Sequence, residues 1–427
     1  MKTSIYFFYT ISALVLFRGV FAFFSLDFFS KLLSEALILA WFIYEFKKPK
    51  YLFSKSIKFY AFLYLLWIGF VAILGGDNLY EYYLYSRYFI LSFMMLYISY
   101  NIYDFKRYTS FTLKAIDLFV LLQIIASVVF FFALGRLERI VGTMSTSGGS
   151  LATVWPLTFA PYYFLRYVIK GQWKDIGFIA GLVFIGFASG KRAVYFLIPI
   201  SLIIIYYVFL GSKLFFKKKG IKRRVLFSAG FLFFALLLGI SGTESLAQGN
   251  GFSLKSLDSA INYAEKYSTN KNVMNGESIG RTSSTINTFN ALWIGSNPIF
   301  GNGLTALKGE ITYSRYEVGY GVTGLIRELI SVGFIGGIIY ILFYIKLLAM
   351  MRKGKRYMLG SLFDKEVFWI WILGISGLTS MLITILGYSR VFSQSLNPII
   401  FVLISVGISF RAINELKYFE KSIKNVK

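Results

Sequence analysis

The chain has 427 residues, of which 57% are hydrophobic, 20% aromatic and 15% charged, and its formal net charge is +25. Soluble domains carry about 25% charged and about 45–50% apolar residues, so a soluble multidomain protein and a disordered chain are both excluded. Cys and His are absent from the sequence, which excludes disulfides, Cys/His zinc sites, a thiol nucleophile and imidazole acid–base chemistry.

A membrane helix needs about 20 mostly apolar residues to cross about 30 Å of hydrocarbon. Twelve runs qualify: 3–24, 29–46, 56–75, 86–103, 112–134, 150–168, 174–189, 192–211, 223–241, 321–346, 366–387 and 395–411. The first run is long and no small-residue cleavage site follows it, so it reads as a retained span rather than a signal peptide. The seventh is short and contains Gly177, Gly181 and Gly186, so a kink or break is expected there. Residues 1–241 thus form spans one to nine, and 321–427 form spans ten to twelve with a basic tail. The expected fold is an all-α, polytopic membrane bundle.

Charge orients this bundle. With both ends of the chain on the cytoplasmic side, the inner segments hold 30 basic and 8 acidic residues, a balance of +22, and the remaining 15 basic and 12 acidic residues give +3. Short basic loops resist translocation, so the asymmetry is topological and calls for no nucleic-acid partner. Residues 242–320, about 79 in number, form one long outer-face loop with six basic and six acidic residues. A loop this long without structure of its own is unusual unless it is functional. Ser253 caps a run with Leu254, Leu257, Ile261 and Ala264 on one face, and Ile286, Phe289 and Trp293 share a face in a second run. Asn297-Pro298 and Gly301-Asn302-Gly303 then stop the pattern. The loop reads as a small helical cap over the outer mouth.

Ionisable groups at membrane depth need a partner or a task. Among Arg18, Lys31 and Glu35, an ion pair of Glu35 with Arg18 is expected. Tyr80, Tyr82, Tyr83, Tyr85 and Tyr88 around Arg87 read as an interfacial aromatic belt, with sugar stacking as the sharper alternative. Four outer clusters stand against the charge rule: Arg136 with Arg139; Ser189-Gly190-Lys191-Arg192; Arg281; and Arg315 with Glu317 and Tyr320, followed by Arg327-Glu328. Taken singly, each arginine also fits an interfacial ion pair or a lipid-headgroup contact. Together, several guanidinium groups on one outer cavity suit a diphosphate, whose oxygens they bind in a bidentate manner.

In this order the segments resemble the O-antigen polymerase (Wzy-type) and O-antigen ligase superfamily. Arg139-Ile-Val-Gly142, running into Ser150 and a span with Pro156 and Pro161, is similar to the family's Arg-x-x-Gly opening. Ser189-Gly190-Lys191-Arg192-Ala193 resembles its Ser-x-Arg-Gly/Ala turn. Asn297-Pro298-Ile-Phe-Gly301-Asn-Gly303 resembles its Pro-x-x-Gly-x-Gly segment. Gly324-Leu-Ile-Arg-Glu328-Leu-Ile-Ser-Val-Gly333-Phe-Ile-Gly336 resembles its closing Leu-x-Glu-x-Gly-x-x-Gly helix. Ligases of the superfamily carry a His before that helix; here the stretch is Glu317-Val-Gly-Tyr320-Gly-Val-Thr323, which favours a polymerase.

The resemblance implies a GT-C-like glycosyltransferase in the bacterial cytoplasmic membrane. Its donor and acceptor would be undecaprenyl-diphosphate-linked oligosaccharides, held among membrane lipid, with a chain-length regulator and a flippase as partners. It implies inversion at the anomeric carbon with no metal and no cofactor. Arg192 and Arg281 would stabilise the leaving diphosphate, supported by Arg139 and Lys191. Glu317, nearest the missing His, would be the candidate base, although a diphosphate leaves well enough that none is required. Arg315, Tyr320 and Arg327 would bind diphosphate or glycan. Glu328 is expected to be structural, paired with Arg327. The competing reading is a lipid-linked oligosaccharide flippase, which would share the spans and basic inner loops but not the long outer loop. A solute permease would show two related halves with matching broken helices, and none is evident.

Overall fold

A computed structural model describes residues 2–47, 53–102, 105–134, 141–144, 151–189, 193–210, 220–247, 289, 297–305, 324–358, 365–387, 396 and 399–426. Every regular element among them is helical. In chain order these are α1 (Lys2–Leu16), α2 (Arg18–Phe23), α3 (Asp27–Lys47), α4 (Lys55–Gly75), α5 (Leu79–Asn101), α6 (Phe105–Leu134), α7 (Leu151–Lys170) and α8 (Trp173–Ala188). They continue with α9 (Ala193–Ile204), which runs on as a π-helical segment Ile205–Leu210, then α10 (Ile221–Ala247), α11 (Gly324–Lys353), α12 (Lys355–Met358), α13 (Lys365–Gly387) and α14 (Ile400–Val426).

The expected first span, 3–24, is divided into two helices, α1 and α2. Among the described residues, length and apolarity sufficient to cross a membrane are met by four stretches: Lys55–Gly75, Lys106–Ala133, Gly324–Lys353 and Glu366–Gly387. At the centre of the bundle α13 packs on both α7 and α14, and between them these three helices pack on α5, α6, α8 and α9. Their apolar side chains are closed in on all sides, with Trp155 and Trp371 fully buried. The rim is apolar as well. On α4 the large side chains Phe59, Phe62, Leu66, Phe70 and Ile73 all face outward, and on α6 Leu118, Leu121, Leu122, Ile125 and Val129 do the same. Their spacing of three and four residues forms one continuous stripe per helix. A stripe of that size is unfavourable in water and suits lipid, so the fold associates with a membrane.

Two expectations about local shape change. The seventh span, α8, is an unbroken helix. Two of its glycines make room rather than bend: a Cβ at Gly181 would meet Ile124, and one at Gly186 would meet Val194. The break occurs instead in α11, at Gly333, with φ 68° and ψ −176°. Only glycine visits that region at low cost. The expected pair of Glu35 with Arg18 is also replaced. Arg18 bonds Asp27 at 2.7 Å, and Lys31 pairs with Asp27 one helical turn away. Glu35 takes Arg87 through both carboxylate oxygens, with Tyr83 donating to it at 3.1 Å. Arg87 reaches Glu35 because α5 packs directly against α3, whereas Arg18 on short α2 faces the start of α3.

Candidate functional site

The break in α11 and the turn 297–305 form one joint. Asn297 folds the turn by accepting from the N–H of Ile299 and Phe300, both at 3.2 Å. The break at Gly333 would leave carbonyls above it and N–H groups below it without partners, which is costly inside a bilayer. The turn supplies them. The N–H groups of Asn302 and Gly303 donate to the carbonyls of Ile330 and Ser331 at 2.9 and 3.2 Å. The N–H groups of Phe334 and Ile335 donate to Pro298 and Ile299 at 2.8 and 3.4 Å. The Trp67 indole N–H closes the last gap, donating to the Val332 carbonyl at 2.8 Å. The fit is close enough that a Cβ at Gly301 would lie 2.4 Å from the Ser331 carbonyl oxygen, and one at Gly333 would lie 2.1 Å from that of Ile299.

The far end of the turn is tied to the top of α4. Asp77 accepts from the Leu304 N–H at 2.7 Å and from the Thr305 hydroxyl at 2.8 Å. Phe300 stacks on Trp67 with ring centroids 5.7 Å apart. The two segments Asn297–Gly303 and Gly324–Gly336 therefore mesh physically although twenty residues separate them in the chain.

Above the break, Glu328 is buried to 2% exposure, inside the bundle. Its Oε2 accepts from the Tyr85 hydroxyl at 2.6 Å and from the Tyr64 hydroxyl. These two phenols, from α5 and α4, hydrogen-bond its carboxylate. Arg327 lies with its guanidinium carbon 4.7 Å from the centre of the Tyr85 ring. It is half-buried, in the first turn of α11. A permanent cation at the positive end of a helix favours an anionic group. Tyr85 also corrects the aromatic-belt reading. Tyr80 and Tyr83 face outward, but Tyr85 turns inward to Glu328.

Of the residues singled out for substrate and chemistry, Arg327 is described; Arg139, Lys191, Arg192, Arg281, Arg315, Glu317 and Tyr320 lie outside the described residues. So do both helical runs expected in the long loop, apart from Phe289, which is helical. The neighbours of two motifs are placed. Thr143, next to Gly142, is held by Gln123 on α6 through two bonds of 2.7 Å. Its carbonyl accepts from the Gly19 N–H at 2.9 Å. Ser189, the first residue of the two-cation turn, is buried and donates its hydroxyl to the Ile185 carbonyl at 2.6 Å, closing α8.

Tyr64, Trp67 and Asp77 are parts of the site that sequence reading missed. Tyr64 and Trp67 each place one polar atom in an otherwise apolar span, a weak signal. Asp77 follows Gly75-Gly76, a stronger one, because a carboxylate after a glycine pair commonly ends a helix by capping nearby N–H groups. Among the described residues, no three carboxylates come together as a metal site would need. No protein-family model and no curated protein matches the chain.

Proposed function

We propose that the protein is a polysaccharide polymerase of the outer face of the bacterial cytoplasmic membrane, with twelve spans and the long loop outside. It transfers a glycan from undecaprenyl diphosphate onto a new lipid-linked repeat unit. The observation that carries this reading is the joint between the turn 297–305 and the broken helix α11. It unites the two longest family-like segments beside a half-buried arginine. The absence of His from the sequence supports a polymerase over a ligase.

In the proposed reaction, a sugar hydroxyl of the acceptor attacks the anomeric carbon of the donor. The C–O bond to the diphosphate breaks with its electron pair, the configuration inverts, and the hydroxyl proton passes to Glu317 or to water. Undecaprenyl diphosphate leaves readily once its charge is met, so orientation and electrostatic stabilisation are the protein's main contributions. Arg192 and Arg281 take that role, with Arg139 and Lys191 supporting, and Arg315, Tyr320 and Arg327 hold the substrate.

Cells lacking the protein are expected to display single-repeat-unit glycan. Display of no glycan at all would favour a flippase instead. Arg192→Ala and Arg281→Ala are each expected to abolish chain growth with the protein still inserted, and normal long chains from either variant would sink the assignment. Glu317→Gln at full activity would remove Glu317 from the mechanism.

A further inference from the structure

The half-helix Gly324–Val332 is cut from the rest of α11 at Gly333. Its rotation about its own axis is therefore not inherited from the longer half, and local contacts must set it. The turn 297–303 holds its last carbonyls, at the level of Ile330 and Ser331. One helical turn earlier, Glu328 fixes the face. Its single oxygen Oε2 receives hydroxyls from Tyr64 on α4 and Tyr85 on α5, so three helices meet on one atom. Tyr85 has a second task, because its ring face carries the guanidinium of Arg327. Consecutive helical residues point about 100° apart, so whatever fixes Glu328 also fixes Arg327.

We propose that Glu328 is a positioning residue: clamped by Tyr64 and Tyr85, it holds the half-helix in the rotation that lays Arg327 across Tyr85 and presents its guanidinium to a diphosphate-bearing lipid. The inference rests on the reading that such a lipid is the substrate. The clamp needs an acceptor oxygen at position 328 more than it needs a charge. Glu328→Gln keeps one; Glu328→Leu keeps the volume and removes it.

The test is binding of undecaprenyl diphosphate to the full chain in lipid nanodiscs. Arg327→Ala is expected to weaken binding about tenfold, the loss of one charge-assisted contact. Glu328→Leu should match it, Glu328→Gln should bind close to wild type, and the Arg327→Ala/Glu328→Leu double variant should lose no more than either single one. Should Glu328→Leu fail to fold, Tyr85→Phe serves instead. It keeps the ring beneath Arg327 and removes a clamp hydroxyl, and it should weaken binding in the wild-type background but not in Arg327→Ala. Additive losses, wild-type binding by Glu328→Leu or Tyr85→Phe, or no binding by wild type would each overturn the inference. Chain extension is measured in the same nanodiscs. The expected binding pattern without extension would overturn the polymerase reading alone, and extension with additive losses would overturn the positioning role alone.

Discussion

Two buried ionic clusters solve the same problem differently. At the C-terminal end of α7, Arg166 is enclosed by opposite charge. It bonds Asp117 at 2.8 Å and Asp175 at 2.6 Å, while Tyr163 donates to Asp117 and lies under the guanidinium, 4.7 Å from its ring centre. Asp175 is fully buried. At the start of α11, the carboxylate of Glu328 rests on two phenols, and the neighbouring cation rests on an aromatic face. In the first cluster the charges are consumed by one another, so it works as a fastener between α6, α7 and α8. In the second, two neutral phenols donate to the carboxylate, and the ring of one of them also carries the neighbouring cation. By the topology expected from the sequence, the fastener faces the cytoplasm and the half-helix faces outside.

Removing one member of each cluster separates the two solutions. Arg166→Leu strands two carboxylates, one of them fully buried. A broken buried pair costs about 3–5 kcal/mol, so the largest expected effect is loss of folded protein, read as a lowered midpoint of thermal unfolding in detergent. An unchanged midpoint would show that the fastener is dispensable. Gly333→Ala places a side chain in a glycine-only conformation at a cost of about 1–3 kcal/mol, before the clash with Ile299. It should release the turn 297–305 while leaving the fastener intact, seen as faster amide exchange confined to that turn and the adjoining half-helix. Asp77→Ala removes the other attachment of the turn. It should cost about 1 kcal/mol and speed exchange at Leu304 without altering the break. The smallest effect is expected from Tyr83→Phe. The Arg87–Glu35 pair beside it is partly exposed and keeps its own bonds, so the change in unfolding midpoint should correspond to about 0.5 kcal/mol or less.

Much of the fold is legible in the chain, and the limits are instructive. Spans are legible because lipid demands a long apolar run and an internally bonded backbone, which only a helix gives over single segments. The ends of α4 and α13 accordingly fall within a residue of their expected positions, whereas the basic tail extends α14 well beyond the end of the apolar run. Helix partners are less legible. Arg18, Lys31 and Glu35 lie close in sequence, yet Glu35 chose Arg87 on another helix. Apolar pattern reports which face is buried, not which neighbour buries it. Glycine misled in α8, where a break was expected, and gave no warning in α11, where one occurs: one composition serves close packing or a break, and only the neighbouring backbone distinguishes them.

The candidate site divides along the same line. Arg327 and Glu328 stand out from sequence because ionisable groups near the start of a membrane span need a reason to be there. That Tyr64 and Tyr85 serve them, and that Trp67 and Asp77 hold the adjoining break and turn, could not be read, since each sits far from its partner in the chain.

The sequence by itself determined the apolar surroundings of the fold and its helical class, because these follow from local composition and hydrogen-bonding cost. Tertiary structure alone decided that α11 breaks at Gly333, that the turn 297–305 replaces the missing hydrogen bonds, and that a phenol pair holds Glu328. Those outcomes depend on groups brought together from distant parts of the chain, where the fit of one backbone into another settles what local propensity leaves open.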